Sequence, residues 1–388
     1  MKATKVIWII IAVIALLSSC SETKRLKNET MNPYSSELDM GFHYRLFHHS
    51  KEASTLFVQS YAMEYRVTIR VYEDFRSKAL VYENTERIFA DANSVQKVTV
   101  PIRLKQYALE ILIFNTNDNA TFRDAILVDK TVVNHQKILP IDEANEPILK
   151  KYVKVGERVK FDNTNDEKVI YLRYFEDNYK PVLPPHISQK LIFNPLRGTD
   201  KMYRIKSGEY FQLKDKGLYF AQTDSTTQQG VFIKVVGENY PKLTAVSDLT
   251  WSIRYITKNE EYKRLTNPKN NAKIELDRFW LARTEDKDRA RALISTYYNR
   301  IQLANEYFTT YKEGWKTDRG IIFTIFGKPT RVQKTAKYEY WYYRRNENRD
   351  FVEFTFDKRN GTYLLRRNPT YAQSWGVEVF AWRSGDVQ

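Results

Sequence analysis

Two places in the sequence carry residues whose types and spacing could do chemistry. The first is Cys20, the one cysteine of the chain. It follows Leu17-Ser18-Ser19, after an unbroken apolar run from Val6 to Leu17 preceded by Lys2 and Lys5. That run is short of the roughly 20 residues a membrane span needs, and a basic start, an apolar stretch and small residues in that order make an export signal. A thiol at this point is where a bacterial lipobox is acylated. Residues 1–19 are therefore expected to be a lipoprotein signal peptide, with Cys20 the lipidated first residue of the mature chain. The second place is Gly314-Trp315-Lys316-Thr317-Asp318-Arg319-Gly320. Trp315 offers a large apolar face and one N–H donor, and Arg319 a planar five-donor fork. Thr317 and Asp318 can bond nearby backbone amides.

Two uses of this second segment stand side by side. In one it is a turn locked by its own hydrogen bonds, with Trp315 packed on a sheet and Asp318 paired to an arginine. In the other it is a recognition surface. Trp315, Asp318 and Arg319 would then grip a ligand together with Lys337, Tyr340, Trp341 and Arg344 of a neighbouring basic-aromatic strand. Catalysis by Asp318 lacks a nearby His, Cys or second acid, so no catalytic residue is expected. His43, His48, His49, His135 and His186 show no metal spacing, and no second cysteine exists to join them, so no metal site is expected. Neither a glycine-rich phosphate loop nor a GxSxG elbow occurs, and no cofactor is expected.

The chain has 388 residues, enough for two or three domains with real cores. Its 42% hydrophobic content with 13 Gly and 12 Pro is that of a folded chain, and 27 tyrosines suit strands and half-buried surfaces. Net charge is +15, or +13 once Lys2 and Lys5 are removed. In the cytosol that would put nucleic acid first, but export leaves lipid headgroups, envelope phosphates and acidic partner proteins as the available anions. No nucleic-acid partner is expected. With no cysteine left to pair, stability has to come from core burial.

The elements that must position these residues fall into three blocks. Short apolar–polar alternation runs from Phe42 to Val133, as in Tyr65 to Glu73, where Tyr65, Val67, Ile69 and Val71 share one face. A second β-rich block runs from Lys151 to Val236, with Leu139 to Pro147 as the linker and Pro181 to His186 as a loop or edge crossing. From Ser247 the period turns helical. Thr257 with Glu260 has capping-box spacing, and Thr284 precedes a stripe of Ala290, Leu293, Ile294, Tyr297, Ile301, Ala304 and Phe308 that Gly314 is placed to end. Ile321–Phe326, Tyr338–Tyr343, Phe351–Phe356 and Thr362–Arg367 then read as successive strands, with Asn360-Gly361 in a hairpin loop. The expected fold is multi-domain and mainly β. It comprises a signal peptide at 1–19, a flexible tether at 20–38, two antiparallel β-sandwich-like modules at 39–146 and 147–245, and an α+β region of helices plus a β-meander at 246–388.

The motif Gly314-Trp315-Lys316-Thr317-Asp318, the following Arg319-Gly320, the Gly327-Lys328-Pro329 turn and the aromatic strand from Tyr338 to Tyr343 together resemble the GWxTD domain, a family of uncharacterised lipoproteins of Bacteroidetes and related bacteria. The lead-in helix with Tyr297-Tyr298 and Ala304 to Phe308 is similar too, so the resemblance covers about residues 280–365. It implies an envelope lipoprotein and carries no catalytic residues with it. Lys316, the variable position of the motif, should face solvent. The segment from Lys316 to Arg345 holds eight basic residues against Asp318 and Glu339, which is either a solvated face or a docking surface for a glycan or acidic partner.

The reading that follows is a lipid-anchored, non-enzymatic outer-membrane lipoprotein, held to the membrane by acylated Cys20, that binds or scaffolds another envelope component, a protein or a glycan. No acidic run follows Cys20, so the periplasmic side is expected rather than the cell surface. Two alternatives remain. One is a glycan-binding or glycan-processing module with its site at the Trp315–Arg319 loop; the other is a peripheral module that binds anionic lipid.

Overall fold

The computed structural model describes residues 42–387 except 49–52, 60–63, 74–78, 90, 92–93, 102, 117–120, 130–136, 164–168, 189–197, 228, 285, 336, 345–350 and 360. The export signal, Cys20, the tether, His49, His135 and Arg345 lie outside the described residues.

The first module holds β1 (His43–His48), β2 (Ser54–Gln59), β3 (Glu64–Tyr72), β4 (Leu80–Phe89), β5 (Val95–Val100), β6 (Gln106–Asn115) and β7 (Thr121–Asp129). They form one sheet ordered β1-β2-β5 and another ordered β4-β3-β6-β7, antiparallel throughout. The period of two in β3 does what it should: Tyr65, Val67, Ile69 and Val71 are all buried. They meet Leu46, Leu56, Val58, Val98 and Val100 of the facing sheet, closing one sandwich core.

The second module holds β8 (Ile138–Ile141), β9 (Tyr152–Lys154), β10 (Arg158–Asn163), β11 (Val169–Glu176), β12 (Lys201–Lys206), β13 (Phe211–Gln212), β14 (Gly217–Gln222) and β15 (Val231–Val236). Its sheets run β13-β10-β8 and β12-β11-β14-β15-β9, and β9 lies parallel to β15. Val159, Phe161 and Leu213 pack against Ile170, Leu172, Tyr219 and Val235 between them. The expected linker at Leu139–Pro147 is corrected here. Leu139, Pro140 and Ile141 pair with Asp162, Phe161 and Lys160 in β8, and only the turn that follows is loop. The reason is apolar: Leu139, Ile141 and Leu149 share a buried cluster with Phe47 and Phe57 of the first module, so the join is packed.

The third region begins with α1 (Val246–Ser252), a 3-10 turn at Ile253–Tyr255, α2 (Asn259–Thr266), α3 (Ala272–Leu281) and α4 (Lys287–Phe308). A 3-10 turn at Gly314–Lys316 leads into α5 (Asp318–Phe326), then an antiparallel meander of β16 (Arg331–Lys334), β17 (Tyr338–Arg344), β18 (Phe351–Arg359) and β19 (Thr362–Leu365). Helix α6 (Tyr371–Ser384) closes the domain. One core joins Trp280, Tyr297, Phe308, Trp315, Ile321, Trp341, Phe354, Trp375 and Trp382.

Three expectations change. Ile321–Phe326 is helix, not strand: Thr317 caps it, accepting from the Gly320 amide, and Gly327 closes it at φ 76°. An apolar run buried on every side has no period to read, and here the caps decide. The long helix stops at Phe308, and Gly314 belongs to the next turn. The caps also sit slightly later than expected. Asp286 accepts from the Asp288 and Arg289 amides, and Glu261 accepts from the Lys258 amide. Helix α6 was not foreseen; Trp382 anchors it through Nε1 to the Ile325 carbonyl at 3.0 Å.

Glu261 ties α2 to the chain's end, accepting from Arg383 at 2.7 Å and from Arg283 at 2.8 Å. Burial alone would raise its pKa, but the bonds from Arg383, the Lys258 amide and Arg283 hold it down at about 2. A depressed carboxyl adds stability that is present above its unfolded pKa and disappears as pH falls through the folded one. Glu261→Gln should therefore lower unfolding free energy by about 1–2 kcal/mol at pH 7, a figure already reduced for solvent screening. In urea titrations the gap to the parent should narrow from pH ~4.5 downward and close near pH 2. A gap independent of pH would show that the carboxylate's charge is not the cause.

Candidate functional site

Each residue of the Gly314–Gly320 segment has a definable task, and nearly all of it faces inward. Gly314 lies against the backbone of α4; a Cβ there would come 1.8 Å from the Ala304 carbonyl oxygen. Gly320 lies in turn on Gly314, where a Cβ would come 1.8 Å from that carbonyl. Two glycines thus let α4, the turn and α5 approach backbone to backbone. Thr317 closes the gap with one hydroxyl, donating to the Gly314 carbonyl at 2.7 Å and accepting from the Gly320 amide at 3.0 Å.

Trp315 is 2% exposed, with its Nε1 donating to Glu313 at 2.9 Å. Its own amide donates to the Asn305 side chain at 3.1 Å, and Asn305 donates onward to the Pro241 carbonyl at 2.9 Å. Lys316, expected in solvent, is instead half-buried and paired with Glu313 at 2.9 Å. Tyr240 completes this end, its hydroxyl meeting Thr309 and the Asn305 carbonyl.

Asp318 is 3% exposed and forms an ion pair with Arg367, just beyond β19 and 49 residues further along the chain. Arg367 also donates at 2.6 Å to the carbonyls of both Leu183 and Pro184. Burial pushes the Asp318 carboxyl up; Arg367, Lys312 and the Leu365 amide pull it back without cancelling the burial effect. Lys312 is buried beside it, and burial lowers its ammonium pKa to about 8. The Pro-rich loop at 181–186 is thus a strap from the second module laid over the motif. The Val182 amide donates to Lys316, Tyr255 donates to the Val182 carbonyl, and the Asn368 amide donates to Pro185. Val182 itself sits in the third region's core.

Arg319 turns the other way. Its guanidinium lies 3.5 Å from the Tyr363 ring centre and 4.8 Å from that of Phe308, and reaches Glu339 at 3.5 Å. Glu339 also accepts from Trp341 Nε1 at 2.7 Å, and Trp341 is 0% exposed. The recognition surface is therefore corrected. Trp315, Asp318 and Trp341 are interior, Arg319 is sandwiched between rings, Tyr340 is half-buried, and only Lys337 and Arg344 stand open. The basic stretch disperses as well: Lys316 goes to Glu313, Arg319 to Glu339, Arg331 over Tyr342 and Lys334 over Phe122 of the first module.

A second meeting point joins the first module to the third. Asp124 of β7 accepts from Lys358 of β18 at 2.6 Å and from Tyr44 of β1 at 2.6 Å. Lys358 also donates to the carbonyls of Ala125 and Thr335, both at 3.2 Å. Beside it Glu306 of α4 takes Lys150 at 3.0 Å and the Tyr152 hydroxyl from the second module. None of Arg367, Tyr240, Asp124 or Lys358 was singled out from sequence, and Asn305 and Glu306 entered only within the Ala304 to Phe308 stretch of the resemblance. Their partners lie tens to hundreds of positions away, and no local spacing marks them.

The architecture is that of a mainly β protein whose last, helix-and-meander domain is held by an inward-facing Gly-Trp-x-Thr-Asp turn. Residues 217–384 match the family model of the GWxTD domain. The chain therefore carries a GWxTD domain over these residues. The match begins at β14, inside the second sandwich. No curated protein matches the chain. Among solved structures, a calcium-binding mutant of Bacteroides uniformis beta-glucuronidase 2 is similar at 13% identity and TM-score 0.17, covering 30% of this chain and 16% of that one. Trypsin-activated alpha-2-macroglobulin from Escherichia coli is similar at 9% identity and TM-score 0.18, covering 55% of this chain and 17% of that one. Superpositions that slight carry no argument.

Two substitutions test the lock. Gly314→Ala has no open direction for its methyl group and should prevent the cooperative unfolding transition seen by tryptophan fluorescence. Asp318→Ala strands the buried Arg367 and should cost about 3–5 kcal/mol in chemical denaturation. The double change Asp318→Ala with Arg367→Met should recover part of that loss; a double variant no better than the single one would show that the two side chains are not coupled.

Proposed function

We propose that this protein is a lipid-anchored, non-enzymatic component of the bacterial cell envelope that binds or scaffolds another envelope component. The observation that carries the reading is the inward turn of the motif. The residues with the most chemistry, Trp315, Asp318 and Arg319, are engaged within the fold, and Asp318 through Arg367 fastens the third region to the second module. A carboxylate shut into an ion pair with Arg367 is poorly placed to act on a substrate. A tryptophan packed in the core offers no face to a sugar. A glycan-binding or glycan-processing site at the Trp315–Arg319 loop therefore has no geometric support.

What supports a scaffold is the stiffness of the joints. Apolar packing joins the first two modules, the strap at 181–186 joins the second to the third, and the Asp124–Lys358 pair joins the third back to the first. A body fastened on all three sides presents its surfaces at fixed spacing, which is what holding a partner requires. The export signal and Cys20 support attachment to a membrane by acyl chains, each buried methylene contributing about 0.8 kcal/mol. The outer membrane, periplasmic side, is the location this reading assigns. The partner is an envelope protein or glycan.

In-cell crosslinking followed by purification of the full chain should repeatedly recover the same envelope component. Recovery of no recurrent partner would overturn the scaffold reading. Cys20→Ala should move the protein from the membrane fraction to the soluble one; unchanged partitioning would overturn the anchor.

A further inference from the structure

The first module leaves one long sheet edge open. In the order β4-β3-β6-β7, strand β4 comes at the end and, among the described residues, pairs with β3 alone. Its ten residues, Leu80 to Phe89, include neither Pro nor Lys, two of the residues that commonly blunt such an edge. Val81 is 45% exposed and Phe89 67%, and Glu83, Thr85 and Arg87 stand open between them. The opposite end of this sheet is covered, since β7 meets the terminal meander through Lys334 over Phe122 and Lys358 on Asp124. Strand β12, at the end of the second module's larger sheet, carries Lys201, Arg204 and Lys206 and would repel a copy of itself. Strand β4 would not.

A two-fold axis sets residues equally far either side of its centre against one another. Facing residues share a side of the pleat only when the axis passes through a residue. Centred on Thr85, Glu83 faces Arg87 of the second copy, Val81 its Phe89, Tyr82 its Ile88 and Asn84 its Glu86. Opposite charges meet twice, and apolar side chains meet on both sides of the pleat. A centre one residue away loses this. At Asn84, Val81 would meet Arg87; at Glu86, two Glu86 carboxylates would meet and Glu83 would face Phe89. The Thr85 register also extends contacts already present. Arg70 lies between Glu110 at 3.6 Å and Glu83 at 3.3 Å, so Arg87 of a second copy continues the alternation. Arg87, which takes Glu64 at 2.8 Å, is directly opposite Arg66 in its own sheet, and Glu83 of the copy offsets that repulsion.

We propose that two copies of this protein associate through β4, edge to edge and antiparallel about a two-fold axis at Thr85, so that their β4-β3-β6-β7 sheets join into one. The outward backbone groups of β4 become ladder hydrogen bonds, and Val81 and Phe89 cover each other. The same patch serves on both copies, so the assembly closes at two and does not propagate. Self-association of this kind does not depend on the scaffold reading.

The test is oxidative crosslinking of the full chain in intact cells through introduced cysteines. Facing residues of an antiparallel pair have Cα atoms about 4.5–5.5 Å apart, within the span of a disulfide. Thr85→Cys faces its own copy and should give a disulfide-linked dimer on non-reducing gels. Asn84→Cys and Glu86→Cys each lie two residues out of register with themselves, beyond disulfide reach, and should give roughly tenfold less. The parent, whose one cysteine is Cys20, sets the background. Adding Arg87→Glu to Thr85→Cys should cut the dimer roughly fivefold. Adding Arg331→Glu, at an exposed position on the terminal sheet, should leave it unchanged. No dimer from Thr85→Cys above the parent overturns the proposal. So do equal yields from the three cysteine positions, which mark chance collision, or a yield indifferent to Arg87→Glu. Thr85 is exposed, its hydroxyl meeting Thr68 at 2.9 Å, so the cysteine is tolerated there. Should it fail to fold, cells making Val81→Cys and Phe89→Cys chains together should yield the mixed dimer that neither forms alone, and its absence overturns the register.

Discussion

The buried pair between Asp318 and Arg367 is the constraint on which the rest of this structure depends. Asp318 opens α5, Arg367 follows β19, and the same guanidinium takes two carbonyls of the strap from the second module. One cation therefore fixes a helix, a sheet and a neighbouring domain. Burying two charges is expensive, and such a pair adds little net stability over an apolar replacement. What it adds is register. A wrong placement of the strap or of β19 leaves a charge unmet in the core, which costs far more than a misplaced methyl group.

Close backbone approach is the second constraint, and it explains the motif's glycine in a way charge cannot. Ala304, Gly314 and Gly320 stack so tightly that any side chain at either glycine meets a carbonyl oxygen. The approach brings Thr317 within reach of both sides and puts Trp315 into the core beneath α4. Asn305, buried in that helix, spends its amide group on Trp315 and Pro241, so the helix carries a polar clamp at its most crowded turn. Lock and core are the same object here.

The third region is thus not a separate bead on a string. Its motif is covered by the second module's Pro181–His186 loop, and its sheet is pinned to the first module through Asp124 and Lys358.

Much of this was legible in the chain. Alternation in Tyr65–Glu73 located a half-buried strand because the period of two is intrinsic to pleated backbone. The stripe from Ala290 to Phe308 located the long helix for the same kind of reason, and the motif with its Gly327 turn located the family. What was misread followed from burial. Ile321–Phe326 is apolar on all sides and so has no face, although the Thr317 cap and Gly327 stop were available to mark a helix. Lys316 looks like a surface charge until its pair with Glu313, three residues back, is seen, and Arg319 like a ligand grip until it is found on Glu339, 20 residues along. The sequence by itself determined the element types wherever one face met water and the Gly314–Gly320 residues of the lock. Only the tertiary structure decided that the lock faces inward and that Arg367 and the strap complete it. Those facts depend on which charges meet after folding, and local spacing does not encode that.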